Sequence, residues 1–416
     1  MHWDKVAKLS VLPDQMTVLV VGGRRGSFIA RCVWIPTIRR FPELIFRYAQ
    51  PSRDKLECAR FAKVQYLPRK NVSHDFDAIV CKALKDVGAK HLIVCIAAGT
   101  SHHARLISRA AELGVRFVVC DKPATEDWAQ LKPVLKLAKK KGMQVWITFN
   151  HRFNAAVHWL KAKVAGALTN GIPVHIEGCF DQSWLNNDTG SQQALSRIGH
   201  PNCTLNDLGT HVFDVVQYVA GSPILGVKNA TVSRGLSSHP AVITGGRCTF
   251  DFGGDGKLTA SGSCDQCKPG EYTDGIDIVV SFGEEQKARW QMTEGGGDSL
   301  LLGSSEARVE NRGDWKQIER GTPSFGCDDI TQTFSKNPPG HGSSDWENMW
   351  WYMFSACLGK IWTARKLAIR DHLEPHHKLP MPTLEDDGRA ATLYVEAHVK
   401  SAANDGMSVT LEEMAV

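Results

Sequence analysis

A chain of 416 residues with 49 Lys and Arg against 44 Asp and Glu carries a net charge of +5, too little for its size to drive binding to nucleic acid. Its 12 cysteines form no ladder of spacings, and Cys264 and Cys267 have no second C-x-x-C at zinc-ribbon distance, so neither a disulfide framework nor a metal is expected. No apolar run reaches the length of a membrane span and "MHWDKVAKLS" lacks a hydrophobic signal region, so the expectation is a cytoplasmic protein with free thiols, long enough for two domains.

The first elements alternate. "TVLVV", "LIFRYA", "HLIVCIA", "VRFVVC" and "QVWITF" are short β-branched runs separated by amphipathic stretches such as "HHARLISRAAELG", which predicts a parallel α/β sheet with crossover helices over residues 1–150. The first run opens into Gly22, Gly23, Arg24, Arg25 and Gly26, a glycine loop that misses the G-x-G-x-x-G spacing of a dinucleotide site. The second ends as "FRYAQPSRDK", with no carboxylate before Asp54 to hold a ribose 2'-hydroxyl, while Gln50, Ser52 and Arg53 could hold a 2'-phosphate. After "VRFVVC" comes "DKPAT", Asp121 to Thr125, which places Lys122 where ligands bind in open α/β sheets, or simply makes a turn ahead of a helix capped by Thr125.

From about residue 170 the period changes to two. "VHIEGCF", "GVKNATVS", "GRCTFDF", "KLTASGSC", "DIVVSF" and "ARWQM" predict a mostly antiparallel sheet of six strands, followed by Gly/Ser-rich loops over roughly 294–345. Two helices close the chain, one tryptophan-rich and one opened by the cap-like "TLED". Between the first two strands lies "LNDLGTHVFDVVQYVAG". Read as a helix, it buries Leu208, Val212, Val215 and Val219 and stacks Asp207, His211, Asp214 and Tyr218 on the adjoining stripe. A carboxylate one turn from an imidazole favours the imidazolium and orients the ring, as a general acid or base requires. A polar face that merely meets solvent gives the same pattern.

Together these motifs resemble the glucose-fructose oxidoreductase and inositol dehydrogenase family (Gfo/Idh/MocA), whose members show E-K-P, then an x-R-F motif, then D-x-G-x-H-x-x-D on a helix of the second domain. The matching stretches are "DKP" at 121–123, "FNHRF" at 149–153, "DLGTHVFD" at 207–214, "GTSHHARL" from Gly99, and the closing "EDDGRAATLYVEAHVKSA". Asp121 stands for the usual Glu and Gly99 for a frequent Pro.

The resemblance implies a Rossmann-type dinucleotide-binding domain over 1–150 and, over 151–416, an α+β domain for substrate binding and oligomerisation, its open, mostly antiparallel sheet flanked by helices on one face. It implies an NAD(P)-dependent oxidoreductase acting on a hydroxyl or carbonyl carbon of a sugar, cyclitol or related polyol. His211 would take the hydroxyl proton, Asp207 would orient and charge-balance it, and Lys122 would stabilise the reacting oxygen. Gly22, Gly23, Arg24, Arg25, Gly26, Ser52, Arg53, Ala98, Thr100, His103, Asp121 and Lys122 would line the dinucleotide, with NADP favoured and NAD possible. Asn150, Arg152, Trp184, Asp207 and His211 would bind substrate. A homodimer or homotetramer is expected, with the sheet's uncovered face as the contact. Other readings are a non-catalytic dinucleotide-binding regulator and a relative that cleaves glycosides with a bound dinucleotide as redox catalyst.

Overall fold

The computed structural model describes residues 15–22, 34–51, 67–183, 185, 200–234, 236, 239–267, 275–284, 286–293, 298–304, 306–308, 314–318, 345–367 and 379–416. The chain divides into two units, the first comprising 1–124, 132–148 and 353–384, the second 125–131, 149–352 and 385–416. Where the sequence suggests a cut at residue 150, the chain therefore returns to the first unit late.

All five β-branched runs of the first unit form strands: β1 Met16–Gly22, β2 Leu44–Gln50, β3 Leu92–Ala97, β4 Phe117–Cys120 and β5 Gln144–Ile147. They pair in parallel in the order β2-β1-β3-β4-β5, and a parallel bridge from Ala49 to Val72 extends the sheet beyond β2. Every residue of β3 and β4 is buried, as expected of strands covered on both faces. The helices Phe76–Val87 and His103–Glu112 cover the sheet, and the first is capped by the Asp75 carboxylate accepting from the Ala78 N–H. The returning segment lodges Phe354 edge-on against Trp34, with ring centres 5.9 Å apart.

The second unit holds a nine-stranded sheet: β6 Val174–Asp181, β7 Gly226–Ser233, β8 Gly245–Asp251, β9 Leu258–Asp265, β10 Gly275–Phe282, β11 Gln286–Thr293, β12 Asp298–Ser304, β13 Trp315–Gln317 and β14 Val409–Thr410. Their order is β13-β12-β11-β10-β6-β9-β8-β7-β14, antiparallel throughout except between β6 and β9. The six expected strands are all present. Two of the other three, β12 and β13, fall in the stretch read as loop: Leu300 and Trp315 are buried there, a short apolar pattern hidden by surrounding Gly and Ser.

The alternate apolar residues of these strands point to one face. Ile176, Phe250, Cys248, Ile278 and Val280 are buried there, while His175 and Glu177 face the other way. The helices of the same unit thus cover the residues that seemed to need an outside partner. Their close approach depends on two glycines in register, Gly178 on β6 and Gly262 on β9. A Cβ on Gly178 would lie 2.8 Å from methyls of Val212 and Val216, and one on Gly262 would lie 2.6 Å from the Phe250 ring. Gly262→Ala is therefore expected to cost about 2 kcal/mol through overpacking, read as a lower urea midpoint at unchanged slope.

Candidate functional site

The first unit contributes a loop cluster at the carboxyl ends of its central strands. Gly22 ends β1 in register with Ala97 of β3, and the chain runs on from each side of the point where the strand order reverses, the place where α/β sheets bind nucleotides. Ala98 and Gly99 follow β3, and a Cβ on Gly99 would meet nothing within 4 Å among the described residues. Thr100 starts a 3-10 turn and His103 the helix behind it. His103 is buried, with its ring nitrogens 2.8 Å from the Pro123 carbonyl oxygen and 2.9 Å from that of Ala98. It ties the β3 and β4 loops together.

In the β4 loop, the Asp121 carboxylate accepts from the Lys122 N–H at 3.0 Å and from the Thr148 hydroxyl at 2.7 Å. Burial pushes its carboxyl above the ordinary range, against the pull of the Lys122 charge and the Thr148 hydrogen bond. Asp121 thus shapes the turn that carries Lys122, and the peptide bond between Lys122 and Pro123 is cis. At the end of β2, the Gln50 side-chain amide donates to the His74 carbonyl at 3.0 Å. Gly23, Arg24, Arg25, Gly26, Ser52, Arg53 and Trp184 lie outside the described residues.

The second unit contributes the histidine. Asp207 sits in a π-helical turn, Leu205–Gly209, that runs directly into the α-helix Thr210–Ala220 bearing His211, and Gly221 ends the helix in the left-handed conformation. From His211 onward the polar stripe does not meet solvent, while Asp207 is partly exposed. His211, Asp214 and Tyr218 are 7%, 2% and 7% exposed, because side chains from elsewhere cover them. Arg152 donates through Nε to Asp214 at 2.8 Å and through Nη2 to both Asp214 and Asp387, and Tyr218 contacts the His158 ring. Arg152, expected as a substrate ligand, gives its guanidinium to two carboxylates, the buried Asp214 and the partly buried Asp387. With two carboxylates on one cation in a dry setting, burial and the Asp387 charge outweigh Arg152 and push the Asp214 carboxyl up to about 7.

Around His211 the walls are aromatic. Phe180 lies 5.6 Å away between ring centres, Phe149 6.4 Å and His151 4.6 Å. Asp207 is held from outside its helix: Gln266 donates its Nε2 to the Asp207 carboxylate at 2.9 Å while its Oε1 accepts from the Thr204 hydroxyl at 2.9 Å. Because the carboxylate only accepts, the Gln266 amide must turn its Nε2 toward Asp207, and backbone bonds to Thr244 and Leu185 fix the residue that carries it. Asn150 is buried, and its Nδ2 has no hydrogen-bond partner among the described residues; the same is true of the Asn206 Oδ1. Such unsatisfied amides suit a hydroxyl-rich ligand. Sequence reasoning missed Gln266 and His151, though both lie inside stretches it singled out, "CDQC" and "FNHRF".

Residues 42–149, which hold β2 to β5 but not β1, match the family model of Gfo/Idh/MocA, described as an oxidoreductase family with an NAD-binding Rossmann fold. Over these residues the chain is similar to the Gfo/Idh/MocA family. Similar proteins include a levoglucosan dehydrogenase of Pseudarthrobacter phenanthrenivorans, 27% identical over 154 residues, which are 36% of this chain and 37% of that one. A myo-inositol dehydrogenase, Hyg17, of Streptomyces leeuwenhoekii is 28% identical over 133 residues, 32% and 38% of the two chains. The matched stretch thus spans little more than a third of either relative. The fold as a whole is shared with an inositol dehydrogenase homologue of Azotobacter vinelandii solved with NADH and myo-inositol, at a TM-score of 0.74 and 16% identity over 96% of this chain and 98% of that one.

Proposed function

We propose that the chain is a nicotinamide-dependent dehydrogenase or reductase that acts on a hydroxyl-bearing or carbonyl carbon of a sugar, cyclitol or related polyol. The observation that carries this reading is His211, buried in an aromatic box and one turn from an Asp207 whose carboxylate Gln266 holds in place. That arrangement suits a base that takes a hydroxyl proton during oxidation and returns it during reduction. Asp207 supports the imidazolium so formed. Lys122, presented by the Asp121 turn, places a cation for the oxygen as its negative charge develops. Gly22, Ala98 and Thr100 fit a dinucleotide at the strand ends, and that cofactor, when bound, supplies the redox chemistry.

The proposal extends to NADP as the preferred dinucleotide. Strand β2 ends without an acidic residue, its Gln50 is engaged with His74, and Arg53 follows three residues later. Titration of the protein with each dinucleotide is expected to show tighter binding of NADP, and Arg53→Ala should erase the difference. A panel of sugars, anhydrosugars and cyclitols, followed by the absorbance of reduced nicotinamide, tests the activity itself. Tight dinucleotide binding with no turnover across that panel would favour a regulator instead.

Self-association belongs to the same proposal. The face of the sheet turned away from the helices, uncovered among the described residues, presents Glu177, Arg247, Ser261, Ser263 and Asp277 around a groove of about 350 Å³, next to an apolar cluster of Val279, Leu301, Ala307 and Trp315. We assign this face to a second copy of the chain, and light scattering is expected to show a dimer or tetramer that weakens at high salt, because charged groups border the contact.

A further inference from the structure

His151 stands between two residues that the motif singles out, yet its own position is the more unusual. The 3-10 turn Asn150–Phe153 buries all four of its residues. It sets the His151 ring 4.6 Å from that of His211 at an interplanar angle of 73°. Phe180 lies 6.0 Å from His151 and Trp290 also 6.0 Å, so the two imidazoles share one aromatic box and are 5% and 7% exposed.

The charged groups on the elements packed around this pair are few. The His211 helix and its π turn bring Asp207, held by Gln266, and Asp214, bound to Arg152. The 3-10 turn brings Arg152 itself. Strand β6 brings Asp181 beside Phe180, and β11 brings Arg289 beside Trp290, paired with Asp277. Two like charges at this separation in a poorly polarisable surround repel strongly, so a proton on one ring disfavours a proton on the other.

We propose that His151 and His211 titrate as a coupled pair, in which the proton bound by one ring drives uptake of the second to lower pH. His151 is then a positioning residue that acts through His211: it holds His211 in the unprotonated form that accepts a substrate proton. The proposal rests on the function given above for His211.

The test uses the full-length protein with ring-labelled histidine, His211 being assigned by the loss of its signal in His211→Gln. Nuclear magnetic resonance titration of the unmodified protein is expected to give two apparent pKa values separated by at least about one pH unit. In His151→Phe, which keeps the aromatic box filled, His211 should titrate as a single site about one unit higher, because a competing positive charge is gone. The acid limb of turnover should move up by the same amount with dinucleotide affinity unchanged. His151→Gln is the second variant should phenylalanine disturb folding. A His211 titration at the same pH in the folded variants and the unmodified protein would overturn the proposal. Should the titrations split as expected while His211→Ala keeps full turnover, the coupling would stand and the assigned function of His211 would fall.

Discussion

Replacing His211 by alanine is expected to lower turnover at least a hundredfold and leave dinucleotide affinity nearly unchanged, since a positioned general base is worth about 10² to 10⁴ in rate. His211 is built into the second unit by Phe149, Phe180 and His151, whereas the residues assigned to the dinucleotide belong to the first, so binding and chemistry should separate. Lys122→Ala should be at least as damaging, because it removes the cation assigned to the reacting oxygen. Asp207→Asn keeps a side chain of the same shape but loses the charge that favours the imidazolium. The apparent pKa of the base should then fall and the acid limb of oxidation move to lower pH, opposite to the shift expected for His151→Phe. If Lys122 is the proton acceptor, the pH dependence will survive in His211→Ala and vanish in Lys122→Ala. Steady-state kinetics across pH on a confirmed substrate distinguishes these outcomes, and near-normal turnover in all three variants would remove the assignment.

Arg152→Met should have the largest effect on stability. It leaves the buried Asp214 and the partly buried Asp387 without their shared cation, and breaking a buried ion pair from one side costs about 3 to 5 kcal/mol. The loss should be smaller in acid, where Asp214 can take a proton. The same carboxyl makes the unmodified protein sensitive to pH. Its native pKa of about 7 lies above the unfolded value of about 3.9, so between those values the native state binds more protons and stability falls as pH rises. The slope contributed by this group reaches about 1.4 kcal/mol per pH unit and is spent above the native pKa. Urea melts from about pH 4 to pH 8 should show it, and Asp214→Asn should flatten it.

The strands of the first unit were legible because each is a β-branched run of four to seven residues between turn or helix signals, a local pattern that no distant contact overrides. The His211 helix was legible from its period as well. What the period could not show is that its polar stripe is buried, because the groups that satisfy it lie 62 residues away in Arg152 and 60 away in His158. Gln266 was hidden for the same reason, at 59 residues from Asp207. The cap-like "TLED" was read as a helix start, but Leu384–Gly388 is a π-helical turn, and the α-helix begins at Arg389. No simple hydrophobic period marks such a turn.

That turn has a counterpart. Leu205–Gly209 and Leu384–Gly388 both begin with leucine, end with glycine, carry an aspartate third, and hand directly into a buried α-helix. A π turn is in effect one surplus residue wound into a helix, so removing a single residue from 205–209 would let the backbone close as an ordinary helix with little loss of hydrogen bonding. The side chains before the cut would swing by about 100° against those after it. Asp207 would leave the arc it shares with His211, and Gln266 would face a different residue. The second turn would fail in another way, since Asp387 would rotate off Arg152 and relieve the charge crowding on Asp214. The two surplus residues thus work as phase shifters, one setting the angle of Asp207 against His211 and the other that of Asp387 against Arg152.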